Sequence, residues 1–246
     1  MSENIAENRE EKRADSLGDV VKIELIAAAI EDAKKIEAYG GDRIELVSAL
    51  SEGGLTPSYG LMKSVIDSVS IPVNVIIRPH SQSFVYRDEE IEMMKQDIRL
   101  AKQLGANGVV IGALNEQNQI CEQSLNRLLE AAKGLEVTFH RAIDELKDPV
   151  GGLKILSNYN SISRILTSDG QGSLGKNKEI IRNMILHSGH IKILVGGGLN
   201  FENVKEIMQV TNAPEYHFGT VVRVERSPFK NISEDLLKKL FTLLKK

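Results

Sequence analysis

The sequence predicts a single (β/α)8 TIM-type barrel with a flexible polar N-terminal arm. Three observations carry that expectation. The chain has 246 residues, close to the ~250 of this architecture. Eight short runs rich in β-branched and aliphatic residues alternate with eight amphipathic stretches, the pattern of repeated βα units and a parallel sheet. Glycine, proline and capping residues fall between the runs, where turns belong.

Taken in order, residues 1–20 come first as a polar arm. They contain almost no large apolar side chains, so they cannot bury enough surface to offset the entropy of ordering. The barrel domain is expected over 21–246. Its candidate strands are 21–26, 43–47, 73–77, 108–111, 136–139, 164–166, 192–195 and 215–218. Helical patterns are expected near 29–39, 58–69, 88–104, 123–133, 149–158, 176–187, 201–210 and 232–245. Gly40-Gly41 and Gly105 sit where helices should end, since glycine accepts the left-handed residue that closes a helix. Asp148-Pro149 supplies a cap followed by proline at the first helical position. Thr56-Pro57 precedes another helix, and Asp88 with Glu89 and Glu90 places negative charge at a helix start.

Composition narrows the function classes. A net charge of −3 offers no basic excess for nucleic acid. No apolar run reaches the ~18 residues of a membrane-spanning helix, and no apolar stretch follows a basic start as in a signal peptide. The single cysteine, Cys121, cannot form an intrachain disulfide and fits a reducing compartment. The expected location is the cytoplasm, with no membrane or nucleic-acid partner and with room for a homo-oligomer. Whether the chain is an enzyme stays open.

Candidate chemistry lies where strands break the apolar rule near their C-terminal ends, because a charge inside a barrel strand is costly without partners. Glu24 shares a strand face with Ile26, and Glu45 with Val47, and alternation points both carboxylates inward. Strand 3 ends in Arg78, and strand 5 in His140 and Arg141 with Asp144 beyond. Strand 6 ends in Thr167 and Ser168, and strand 8 in His217 and Gly219. Acids, histidines and arginines gathered at one mouth point to proton transfer on a small anionic molecule, carboxylate- or phosphate-bearing. The candidate catalytic residues are Glu24, Glu45, Arg78, His140, Arg141 and Asp144. Thr167, Ser168, Gly196, Gly197, Gly198, His217 and Gly219 are candidate substrate contacts, the glycines because loops after strands 7 and 8 often hold phosphate.

Structural readings stand beside these. Glu24 or Glu45 with Arg78 would make an internal salt bridge. Thr167, Ser168 and Asp144 would serve as caps, and the glycines as tight turns. Lys22 and Lys192 sit at N-terminal strand ends, the wrong face for Schiff-base chemistry. His80, His140, His187, His190 and His217 form no HExxH-type zinc motif, and His187 and His190 are expected in solvent. Cys121 is expected to be inert. No metal ligand set and no cofactor is evident from the residues.

The same segments carry a resemblance. Asp42–Leu46, the run Ser51-Glu52-Gly53-Gly54-Leu55-Thr56-Pro57-Ser58, Ile77-Arg78-Pro79 and Phe84-Val85-Tyr86 resemble the copper homeostasis family CutC. So do Leu104–Val110, Thr138-Phe139-His140-Arg141-Ala142, Arg164–Ser168 and Gly196–Gly198. The resemblance spans about Val21 to Thr220. It implies a barrel, a cytoplasmic location and an association with copper. It also implies departures: Ile26 and Val47 stand where members often carry the cysteines proposed to hold Cu(I), His80 takes the basic position after Ile-Arg-Pro, and Ser81-Gln82 and Asp169-Gly170 interrupt glycine segments. Met62, Met93 and Met94 read as helix packing residues rather than a replacement thioether site.

Overall fold

The computed structural model describes residues 21–168 and 174–244; the expected arm over 1–20 and the departures at Asp169 and Gly170 lie outside them. Eight parallel strands close into a barrel in sequence order. They are β1 (Lys22–Ala27), β2 (Arg43–Leu46), β3 (Val73–Ile76), β4 (Gly108–Ile111), β5 (Glu136–Phe139), β6 (Ile162–Thr167), β7 (Lys192–Val195) and β8 (Glu215–Phe218). The helices are α1 (Ile30–Ala38), α2 (Tyr59–Ile66), α3 (Asp88–Gln103), α4 (Glu122–Ala131), α5 (Pro149–Leu156), α6 (Leu174–His187), α7 (Val204–Thr211) and α8 (Glu234–Leu244). Among the described residues, no helix is long and apolar enough to cross a membrane.

Local chemistry explains the boundaries. Asp148 caps α5 by accepting from the Gly151 N–H, with Pro149 at the first position. Ser58, just after Thr56-Pro57, caps α2 by accepting from the Leu61 N–H. At the start of α3 the Glu90 carboxylate reaches back to accept from the Arg87 N–H at 2.7 Å. Gly40 and Gly105 adopt φ of 89° and 88°, the left-handed region that favours glycine. β6 begins earlier than expected, because Ile162 and Ser163 extend the strand past a register shift against β5.

Alternation along the strands sorts side chains into two compartments. Leu25, Leu46, Val75, Ile111, Phe139, Ile165, Val195 and Phe218 point outward and join the helices in one large core. The inward positions carry a small apolar cluster of Val47, Ile76 and Val110, with Ile26 and Leu50 against it. Most remaining inward positions are polar. Met62 and Met94 are buried in the outer core, but Met93 is 45% exposed. Its expected packing role is corrected, since consecutive helical residues point in different directions and only Met94 lies on the buried face of α3.

Candidate functional site

The lower half of the barrel interior is filled by charge. Arg43 from β2 bonds both Glu24 of β1 and Glu215 of β8. Arg164 of β6 reaches the same Glu215 at 3.2 Å and Glu136 of β5 at 2.7 Å. β2 and β8 are not neighbours in the sheet, nor are β8 and β6, so these bonds cross the interior. Glu24, Arg43, Arg164 and Glu215 are each at most 3% exposed. Sequence reading passed over Arg43, Arg164 and Glu215. The signal was present, because Arg43 shares a face with Glu45, and Glu215 with His217. The expected salt bridge of Glu24 with Arg78 is replaced by Glu24 with Arg43, its opposite number across β1 and β2.

One layer higher, His217 links two carboxylates. Its Nδ1 lies 2.7 Å from Glu24 Oε1, and its Nε2 lies 3.8 Å from Glu45 Oε2. Burial alone would raise the Glu24 carboxyl, but Arg43 and the His217 hydrogen bond outweigh it and hold it down to about 2. Glu45 has no such arginine bond. Burial, with the Glu24 charge adding to it, pushes its carboxyl up to about 7 against the pull of His217 and Arg43. Burial works against the His217 cation, yet Glu45 and Glu24 prevail and raise it above the usual histidine range. Burial thus keeps the proton on Glu45 to higher pH than in water, and the two carboxylates make the His217 ring easier to protonate.

Above this pair opens a cavity of about 250 Å³ at the C-terminal ends of the strands. Glu45, Arg78, His140, Arg141, His217, Phe84, Gly197, Gly198, Gly219 and Thr220 are on its wall. Arg78 is 8% exposed. Its Nη1 donates to the carbonyls of Glu52 and Gly54 at 3.0 and 3.3 Å, and its Nη2 to that of Ser81 at 3.4 Å. The guanidinium lies 4.8 Å over the Phe84 ring. Among the described residues no carboxylate comes within ion-pair distance of it, and its Nε has no hydrogen-bond partner. The Glu52-Gly53-Gly54 motif is its cradle: Gly53 and Gly54 have φ of 81° and 90°, and a Cβ on Gly53 would stand 3.1 Å from Arg78 Nη1. Thr56 Oγ1 of the same motif accepts from the Arg78 N–H at 2.9 Å.

His140 is 4% exposed and packs its ring against Gly112, where a Cβ would meet it at 2.6 Å. Its Nδ1 accepts from the Ala142 N–H at 3.2 Å. Burial first, and the Arg78 charge second, press its pKa down to about 3. The ring is therefore neutral, and with Nδ1 accepting, its proton sits on Nε2. That Nε2 has no partner among the described residues.

The other expected site residues fall elsewhere. Asp144 is not among the residues that form the cavity wall. It accepts from Thr167 Oγ1 at 2.6 Å, Ser168 Oγ at 2.7 Å and Arg141 Nε at 2.8 Å. Thr167 and Ser168 are likewise buried beneath the rim, so all three brace the end of β6 and steer Arg141. Glu24 lies below the cavity in the charged floor. Gly196 lets Leu166 and His217 pack closely, since its Cβ would fall 2.7 and 3.0 Å from them. Cys121 precedes α4 and donates to Ser124 Oγ at 3.3 Å, away from the cavity wall. His187 and His190 are on the surface, against the carbonyls of Asn183 and Tyr159.

The barrel has known relatives. The family model described as the CutC family matches residues 21–222. A family protein CutC of Histophilus somni is 42% identical over 80% of this chain and 81% of its own. A human protein named copper homeostasis protein cutC homolog is 42% identical over 79% of this chain and 71% of its own. A solved CutC structure from Streptococcus agalactiae superposes with a TM-score of 0.76 at 32% identity, covering 81% of this chain and 98% of that one. A phosphoribosyl anthranilate isomerase from Thermococcus kodakaraensis covers 92% of this chain and all of its own with a TM-score of 0.64, but at 15% identity it shares the fold alone.

Proposed function

This chain belongs to the CutC family, and from that premise we propose that it serves copper homeostasis through the cavity at the strand C-termini. The observation that supports this is the family match over 21–222, which takes in every strand and every cavity-lining residue named above. Copper itself fits the donor set poorly. Glu24, Glu45 and His217 each bring an atom within 4.8 Å of the others, but Glu24 spends one oxygen on Arg43 and the other on His217 Nδ1. One carboxylate and one ring nitrogen remain, with no sulfur, whereas Cu(I) prefers soft thiolate or thioether ligands. Copper is thus the physiological setting of the protein rather than an ion stored in its barrel. Expression of this chain in a bacterium deprived of its own CutC should restore growth on copper, and Glu45→Ala should not. Equal growth with and without the chain would end this reading. Anaerobic titration with Cu(I) against a chelator should find no tight stoichiometric site; tight binding that survives Cys121→Ser would overturn the poor fit.

A second reading has its own observation. Arg78 is buried, faces the cavity and lacks a carboxylate partner among the described residues. A guanidinium in that state favours a carboxylate or phosphate group on a small metabolite. Millimolar carboxylates and sugar phosphates should raise the melting temperature of the parent protein and leave that of Arg78→Met unmoved.

A further inference from the structure

We propose that the cavity catalyses proton transfer at a carbon next to a carbonyl group of a small anionic metabolite, with Glu45 as the base, His140 Nε2–H as the donor to the carbonyl oxygen, and Arg78 as the anchor for the anionic group. The proposal rests on the second reading above, that the cavity takes a small anion, and adds the chemistry done there.

Three features converge on it. Glu45 lies on β2, and Arg78 and His140 just past the ends of β3 and β5; all three are on the wall of one cavity, so a ligand filling it would be within reach of all three. The cavity, at about 250 Å³, is at the small end of ligand sites, which run ≈ 300–1,000 Å³ for drug-sized molecules. It suits a compact metabolite. Two of its donors, Arg78 Nε and His140 Nε2, are buried without partners among the described residues. Buried donors left unpaired cost stability, and a ligand bearing an anionic group and a carbonyl oxygen would satisfy both. The fixed tautomer makes His140 a neutral electrophile, able to stabilise a developing enolate without giving up its proton.

The titration behaviour fits the roles. A base that works near neutral pH is tuned to a pKa close to 7, and burial places Glu45 at about 7. The groups facing it are His217 from β8, Glu24 from β1 and Arg43 from its own strand. His217 acts as a positioning residue: held by Glu24 on one side, it presents Nε2 to the Glu45 carboxylate on the other. The step balances without a co-reactant. The C–H bond breaks, its proton passes to a Glu45 oxygen, and its electron pair becomes the C=C bond of an enolate. The carbonyl electron pair moves to oxygen, where His140 N–H stabilises it. Return of a proton from Glu45 to the same carbon, with the oxygen electron pair re-forming the carbonyl, completes an exchange of that hydrogen with solvent.

The test is deuterium uptake from D2O, followed by NMR, with the full-length protein freed of metal by EDTA. Probes are pyruvate, 2-oxobutyrate, 2-oxoglutarate and dihydroxyacetone phosphate, each also scored for its effect on the melting temperature. At least one probe should exchange its α-hydrogen faster than in buffer, with a rate that rises through about pH 7 as Glu45 loses its proton. Glu45→Gln should slow that exchange about 100-fold or more, as should His140→Phe, while both keep a cooperative melt. His217→Asn should shift the pH profile rather than abolish exchange. Exchange that is unchanged in Glu45→Gln would overturn the proposal. A probe that stabilises the protein but exchanges no faster than in buffer would overturn the chemistry and leave the anion reading standing. If no probe either binds or exchanges, both fall.

Discussion

Below Glu45, buried charge meets buried charge. Glu24, Glu136 and Glu215 lie against Arg43 or Arg164, and the bonds tie five strands together, two of the bonds running across the axis. Above Glu45, the same barrel buries Arg78 and His140 and leaves a donor of each without a partner among the described residues. The floor also fixes what stands on it, because Glu24 is pulled down by Arg43 and in turn grips His217. The contrast teaches where the barrel has traded stability for readiness. Opposite charges paired with one another are what a fold needs; a buried guanidinium without a carboxylate at the catalytic face of this architecture is what an anionic ligand needs.

The largest effect is expected in the floor. Arg43→Met strands two buried carboxylates, and removing one partner of a buried pair costs ~3–5 kcal/mol. At ~2–4 °C per kcal/mol for a chain of this size, the melting temperature should fall by roughly 6–20 °C. A change under ~1 kcal/mol would mean that the network carries no more weight than surface pairs and would erase the contrast.

The second effect is a pH slope. Glu45 is raised from 4.5 to about 7 in the folded chain, so between those values the native state binds more protons than the unfolded one. Stability from this group is complete below about pH 4.5 and is lost as pH rises towards 7. His217, also raised, acts in the same direction at the upper end of that window. Glu24 does the reverse: its stabilisation is present above 4.5 and lost as pH falls towards 2. Glu45→Gln should therefore gain on the parent by ~2 kcal/mol between pH 5 and pH 8 in thermal melts. Parallel melting curves across that range would show that Glu45 titrates as it would in water.

Much of this was legible in the sequence. The eight strand runs, the inward parity of Glu24 and Glu45 and the strand-end positions of Arg78 and His140 all follow from alternation. The function of the motifs was not. Glu52-Gly53-Gly54 stood out only as part of the family resemblance, but its carbonyls hold Arg78. Asp144, Thr167 and Ser168 looked like site residues because they sit at strand ends, yet they satisfy one another. Arg43 and Glu215 open their strands, where a charge usually reaches solvent, so only cross-barrel geometry reveals them as partners. Sequence parity tells which way a side chain points; it does not tell which of several inward charges meet.

Third comes Arg78. If the mouth is built for a ligand, Arg78→Met should cost less than ~2 kcal/mol in stability, because no carboxylate among the described residues is left stranded. It should nevertheless abolish stabilisation by added carboxylates and sugar phosphates. A loss of ~3–5 kcal/mol, as in the floor, would place Arg78 in a structural network.

The smallest effect sharpens the boundary between the two regions. Gly197 has φ of 80°, and a Cβ there would stand 2.9 Å from both Arg141 Cζ and Ser168 Cβ. Gly197→Ala therefore meets three penalties: a left-handed backbone that disfavours a side chain, a contact with Ser168 Cβ that a small shift of the loop must relieve, and a close contact with the Arg141 guanidinium. The backbone strain is worth ~1 kcal/mol, and the contact with the guanidinium can be relieved if Arg141, which is half exposed, swings outward. That movement would break its bonds to Asp144 and Ser168 without touching Arg43 or Glu215. The variant should thus melt only a few degrees below the parent, keep the pH slope set by Glu45, and bind anions more weakly than the parent. A variant that loses the Glu45 pH slope as well would show that the rim and the floor are one cooperative unit, and that the separation drawn between them is false.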